Sequence, residues 1–306
     1  MTDKRRLLFT VCFDVAIAWA CYYAFRNAGS EADWYVIDRA TDLTVGPPFR
    51  HRILFVLIAK AILAVAPSMT TMFAFQVTQG LACLLATVAM RKWCELVVGP
   101  SLAFAGQAVM AAALVTTFWY WTFYDIGVVF FAAACFACAV RGWLVPCAVL
   151  FMLGTLNHEG ILLVALDTAV LFWTRGMPRL RVLSWFGLLV VLYALTRAAL
   201  FTVMPVDSAY QSMGILRNLE IFHNGPGTLA RFVLGFGLWC VTAALGWPYA
   251  PKWLKVITAV HVPQLAVVAV LFGKVNEVRL YNGFLPLHVA LTLCFIKAML
   301  AKEQPV

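Results

Sequence analysis

The chain has 306 residues, 63% of them hydrophobic and only 12% charged, with a mean hydropathy of +0.88. Soluble domains are about 45–50% apolar and about 25% charged, so a water-soluble globular protein is excluded. Continuous apolar runs also exclude a transmembrane β-barrel, whose strands alternate. In such a chain the net charge of +9 is expected from Lys and Arg at cytoplasmic helix ends rather than from nucleic-acid binding.

The expected fold is all-α: a single polytopic domain, 1–306, with about ten transmembrane helices of about 20 residues each. Leu7–Phe25 is the first span, a retained anchor with Lys4, Arg5 and Arg6 on its cytoplasmic side. Residues 27–51 form a long polar outer loop. Ile53–Ala66 is apolar but too short to span, and is closed by Pro67, so it reads as an interfacial helix ending that loop. Thr70–Met90 returns to Arg91 and Lys92, and Val97–Trp121 leads out again. Ile126–Val140 comes back to Arg141; Trp143–Leu156 and Ile161–Trp173 form a hairpin about Asn157–Gly160 whose short arms place its turn below the outer surface. Val182–Val203 precedes a second polar loop, 205–228. Phe232–Trp247, Val256–Phe272 and Phe284–Leu300 complete the set, with both termini in the cytoplasm. No internal repeat is visible, which removes one signature of transporters.

The nine cysteines read as small packing residues rather than a disulfide or zinc framework, since most lie inside apolar runs. Acids collect on the outer side: Glu31, Asp33, Asp38, Asp42, Asp125, Glu159, Asp207, Glu220 and Glu277. Acid placement does not set membrane orientation, so this concentration points to an outer functional cavity.

Within the first loop, Asp33 and Asp38 stand beside Trp34 and Tyr35, followed by Gly46-Pro47-Pro48-Phe49-Arg50-His51-Arg52. A carboxylate near apolar surface suits general-base work. Arg50, His51 and Arg52 suit a phosphate at the membrane surface, because guanidinium binds phosphate bidentately. Asn157, His158 and Glu159 sit between apolar arms, where polar groups need partners; they would bind sugar hydroxyls or phosphate, or cap two helix ends. Lys274, Glu277 and Arg279 lie at the last outer turn, where a cation would neutralise a phosphate leaving group. Arg197 lies in the outer half of its span and requires a partner. The aromatic run before Asp125 reads as an interfacial belt or a stacking surface for a sugar. Asp14 and Asp167 lie inside spans and are expected to be protonated or paired. His261 and His288 read as packing residues. No set of His, Cys and Asp has metal-ligand spacing and no nucleotide fingerprint is present, so no cofactor is expected.

The first loop, with Asp33, Tyr35, Ala40, Gly46 and the Pro47–Leu54 run, resembles that of the GT-C superfamily, integral membrane glycosyltransferases that use polyprenyl-phosphate sugars, and in particular its polyprenyl-phosphomannose-dependent mannosyltransferase-like branch. The resemblance implies a GT-C-like fold, Asp33 as base with Asp38 as substitute, a polyprenyl-phosphate sugar donor, a lipid or glycan acceptor, and location in the cell inner (cytoplasmic) membrane with the reaction on its outer face. Three other classes compete with this expectation. A transporter or flippase of lipid-linked saccharide needs a polar path through both leaflets, but the inner halves of the spans hold few ionisable groups. A membrane acyltransferase would use His158 or His51 as base. A non-catalytic scaffold leaves the one-sided polar cluster unexplained.

Overall fold

The computed structural model describes residues 3–27, 51–117, 124–204, 218–220, 226–271 and 278–302, and among them every regular element is helical. Helix α1 (Asp3–Asn27) buries Asp14, Ala18, Cys21 and Phe25, one stripe at helical spacing, while Leu7, Val11, Val15, Trp19 and Tyr23 face outward. A narrow packed stripe on an otherwise apolar helix suits a lipid-facing position. The short helix α2 (Leu54–Val65) buries Phe55, Val56 and Ala59 and packs on α3 (Thr71–Val98).

Helix α3 is the hub, lying against α1, α2, α4 (Pro100–Val115) and α5 (Asp125–Arg141). Thr70 caps it by accepting a hydrogen bond from the Phe73 amide at 3.2 Å, and Ala82, Cys83, Ala86 and Ala89 let neighbours approach closely. It ends at Gly99, whose φ of 93° needs glycine, and Pro100 opens α4 at once. Helix α5 ends on Gly142 in the left-handed region, with Trp143 N–H donating to the Cys138 carbonyl at 2.9 Å, a Schellman closure. It hands over to α6 (Leu144–Asn157), a three-residue 3-10 turn (Glu159–Ile161), α7 (Leu162–Thr174) and α8 (Arg179–Val203). Helix α9 (Pro226–Gly246), a 3-10 turn (Trp247–Tyr249), α10 (Lys252–Leu271), a seven-residue 3-10 run (Val278–Phe284) and α11 (Leu285–Lys302) follow.

Among the described residues, five stretches are long and apolar enough to cross a membrane: α1, α3, α8, α10 and Tyr281–Lys302. Helices α6 and α7 have 14 and 13 residues, about 20 Å each, and their junction is therefore recessed relative to the 25-residue α8. The Gly99, Gly142 and Gly176 turns lie at one end of the bundle, with Arg141 and Arg175 beside them. Helix α2, the start of α5, the α6–α7 junction and the end of α8 lie at the other.

The boundaries of α3 and α4 differ from the sequence reading, and α4 opens at Pro100 rather than Val97. Helix α3 continues two turns past Met90, and Arg91 is 7% exposed rather than projecting beyond a helix end. Its guanidinium donates to both Asp14 carboxylate oxygens, at 2.9 and 2.7 Å, and to Glu95 at 2.8 Å. Gln107 donates to the same Asp14 at 2.6 Å. Asp14 is thus paired, and α1, α3 and α4 are joined by one charge network. The 16-residue α4 also ends short of Trp121.

Candidate functional site at the α6–α7 junction

Leaving the first loop, the described chain begins at His51 and turns into α2 at Leu54. This places Arg52 over the recessed α6–α7 junction. Its Nε donates to Glu159 Oε2 at 3.1 Å, and Nη2 donates to Glu159 Oε1, a bidentate fork across 107 residues of sequence. The guanidinium also lies 5.5 Å from the centroid of the Tyr124 ring, within cation–π range. Arg52 is 5% exposed and the Glu159 side chain 33%. Burial disfavours the charge of Arg52, but Glu159, and more weakly Asp125, outweigh it and raise its affinity for the proton. For Glu159 burial likewise opposes ionisation. The charge of Arg52 and its hydrogen bonds, with the polar ring of His158 beside them, prevail and hold its carboxyl well below the usual carboxylate range.

The rest of the cluster is built on helix ends. His158 breaks α6 with extended backbone and its Nδ1 accepts the Gly160 N–H at 2.9 Å, capping the 3-10 turn. A nitrogen that accepts a backbone N–H carries the ring's lone pair, so the neutral imidazole keeps its proton on Nε2. That nitrogen is 3.9 Å from Asp125 Oδ1, the first residue of α5. Asn157, fully buried, donates from Nδ2 to the Tyr124 carbonyl at 3.0 Å, while its Oδ1 has no partner among the described residues. Space for its amide exists because residue 127 is glycine: a Cβ there would sit 2.6 Å from Asn157 Oδ1.

Helix α8 closes the site from the side. His51 Nε2 donates to the Met204 carbonyl at 2.7 Å, and its ring meets Phe201 edge-on. Arg197 reaches the His51 carbonyl at 3.5 Å and lies over Phe201. The partner that Arg197 requires is therefore backbone and an aromatic face.

The structure thus brings His51, Arg52, Asn157, His158, Glu159 and Arg197 to one end of the bundle, with Asp125 and Tyr124. Asp33, Asp38, Arg50, Lys274 and Glu277 lie outside the described residues. Arg279 falls in the 3-10 run before α11, but its side chain is likewise outside the description. Sequence reasoning missed a deeper pair. Asp167 of α7 and His261 of α10 are both fully buried; His261 Nδ1 donates to Asp167 Oδ2 at 2.6 Å, and Gln264 Nε2 donates to Asp167 Oδ1 at 3.0 Å. His261 therefore does more than pack. His288, also buried, bonds the Thr242 hydroxyl at 2.8 Å and stacks on Trp239, joining α9 to α11. A partner 94 residues away leaves no local signal; the only clue was that each group sits in an apolar run.

Among the described residues no group of three His, Cys, Asp or Glu side chains is placed to hold a metal. The arrangement supplies a fixed cation, a carboxylate and amide and imidazole groups in a recess, which suits binding of a polar, anionic or hydroxyl-bearing group. No family model, no curated protein and no solved structure matches the chain.

Proposed function

We propose that the protein is a membrane glycosyltransferase of GT-C type, spanning the cytoplasmic membrane about ten times with both termini in the cytoplasm. It moves a sugar from a polyprenyl-phosphate donor to an acceptor hydroxyl on the outer face. Asp33, or Asp38 in its place, removes the hydroxyl proton as the oxygen attacks the anomeric carbon. The bond from that carbon to the phosphate oxygen breaks with inversion, and the phosphate leaves with the electron pair. Arg50 and Arg52, with Lys274 or Arg279, offset the charge gathering on the phosphate. Asn157, His158, Glu159, Arg197 and Glu277 hold sugar hydroxyls or orient the cations.

The observation that carries this reading is the Arg52–Glu159 fork. The residue that ends the first loop is fixed, bidentate and buried, over a helix junction rich in polar groups. A rigid guanidinium beside the acid-bearing loop is what an anionic leaving group at a membrane surface needs. The basic turns at the opposite end agree with a cytoplasmic assignment for that end. The acyltransferase alternative loses ground, because Nδ1 of His158 is engaged by Gly160 and Nε2 of His51 donates to Met204.

Membranes containing the protein, supplied with radiolabelled polyprenyl-phosphate sugars, should release label from the donor into a lipid or glycan acceptor. Arg52→Ala should abolish most of this transfer, and Arg52→Lys should restore part of it, because charge returns without the fork. Full transfer by Arg52→Ala removes the fork from the mechanism.

A further inference from the structure

Beneath the Arg52–Glu159 cluster lies a second set of buried polar groups that the proposed transfer does not use. The Asp167 carboxylate is satisfied by His261 Nδ1–H and by Gln264. The far nitrogen of the same imidazole, His261 Nε2, is buried with no partner among the described residues; so are the Thr258 hydroxyl and both atoms of the Asn282 amide. Thr258, His261 and Asn282 are respectively 4%, 0% and 2% exposed.

Two of these groups share one face of α10, and the third belongs to the residue next to one that touches His261. Thr258 is three residues before His261 and so on the same face of α10. Asn282 precedes Gly283, where a Cβ would lie 3.9 Å from His261 Nε2 and 4.0 Å from Val128 Cγ1. Val128 follows Gly127, which abuts the Asn157 amide. The second set is therefore one layer below the first. It is faced by the seven-residue 3-10 run Val278–Phe284, about twice the usual length for such a run. At membrane depth, backbone outside an α-helix is tolerated where it is buried or lines a cavity.

Polar groups buried in this way are normally satisfied. Asn282 offers a donor and an acceptor. His261 Nε2, opposite the Nδ1–H that bonds Asp167, offers a lone pair. A hydroxyl, which both donates and accepts, matches every one of them; a carboxylate or ammonium does not. We propose that His261, Asn282 and Thr258, with Asp167 holding the imidazole in place, form a subsite for the hydroxyl groups of a sugar. The choice of a sugar rests on the glycosyltransferase reading; the existence of a hydroxyl-binding subsite does not.

The test uses the full-length protein, labelled with 15N-histidine in a detergent without a sugar headgroup, and titrated with D-glucose, D-mannose and D-galactose. The Nε2 resonance of His261, identified by its loss in His261→Gln, should shift saturably with at least one hexose. Thr258→Val and Asn282→Leu should weaken that response at least about tenfold. Their melting temperatures should stay at or above wild type, because each removes an unpartnered polar group. The Nδ1–H signal toward Asp167 should persist in both. A resonance that no hexose moves, as expected of a site holding only water, overturns the proposal. So does an equal response in the two variants. Hexose binding without transfer from polyprenyl phosphate would refute the transfer reading and leave the subsite; transfer with an indifferent His261 would do the reverse.

Discussion

At Gly127 an alanine methyl would fall 2.6 to 2.8 Å from three atoms of the Asn157 amide, closer than real contacts allow. In a helix interior alanine is otherwise favoured over glycine by about 0.5–1 kcal/mol. Gly127→Ala should therefore destabilise the protein, whereas the same change with Asn157→Ala should be neutral or stabilising. Thermal unfolding of the two singles and the double in detergent measures the coupling, and additive effects would mean that the amide is not where the site requires it. The Arg52–Glu159 pair has a distinct signature in pH. The folded carboxyl of Glu159 lies below its usual value, so its contribution is complete above about pH 4.3 and is lost only as pH falls toward the depressed value. The melting-temperature gap between wild type and Glu159→Gln should hold from pH 7 to about 5 and shrink below about 4. A gap that closes between pH 7 and 6 would assign the effect to histidine. Arg52→Ala should cost toward the lower end of about 3–5 kcal/mol, since Glu159 is partly exposed and water can take up its charge.

Among the described glycines the tightest approach is at the end of α9, where a Cβ at Gly246 would fall 1.8 Å from the Leu291 carbonyl oxygen of α11. Backbone cannot yield as a side-chain tip can, so Gly246→Ala should force the helices apart and lower the yield of folded protein extracted in detergent. Gly80→Ala, with nothing within 4 Å, is its control; equal yields would contradict the α9–α11 packing. The helices themselves were legible in the sequence because an apolar run bounded by Gly, Pro or a charge reports a helix in lipid, where backbone must bond within its own segment. Thus Arg141 marks a helix end in both sequence and structure, whereas Gly99-Pro100, read inside a span from Val97, is the break between α3 and α4. Arg91 was not legible. A basic residue after an apolar run reads as a snorkelling end, and only the position of Asp14, 77 residues earlier, shows that it points into the bundle instead. At the site, the polar character of residues 157–159 was visible locally. The pairing of Glu159 with Arg52 was not, because it depends on how α2 packs against α3 and α6.

For the whole molecule the polar recess and the basic turns lie at opposite ends, and this polarity carries the proposed orientation. A cysteine at Thr44, in the first loop, should react with an impermeant thiol reagent added outside intact cells, on a background without reactive native thiols. Lys92→Cys should be protected; the reverse pattern would place the recess in the cytoplasm. The central claim is chemical: the recess serves sugar transfer, with Asp33 as base. The most direct measurement is the initial rate of label transfer from radiolabelled polyprenyl-phosphate sugar by Asp33→Asn, with Asp38→Asn beside it, each at wild-type yield of folded protein. General-base assistance is worth about 10²–10⁴-fold, so Asp33→Asn should transfer at least about 10²-fold more slowly, and Asp38→Asn should lose less. Normal transfer by Asp33→Asn beside an inactive, folded Asp38→Asn would contradict the assignment of the base, and normal transfer by both would contradict the glycosyltransferase mechanism itself.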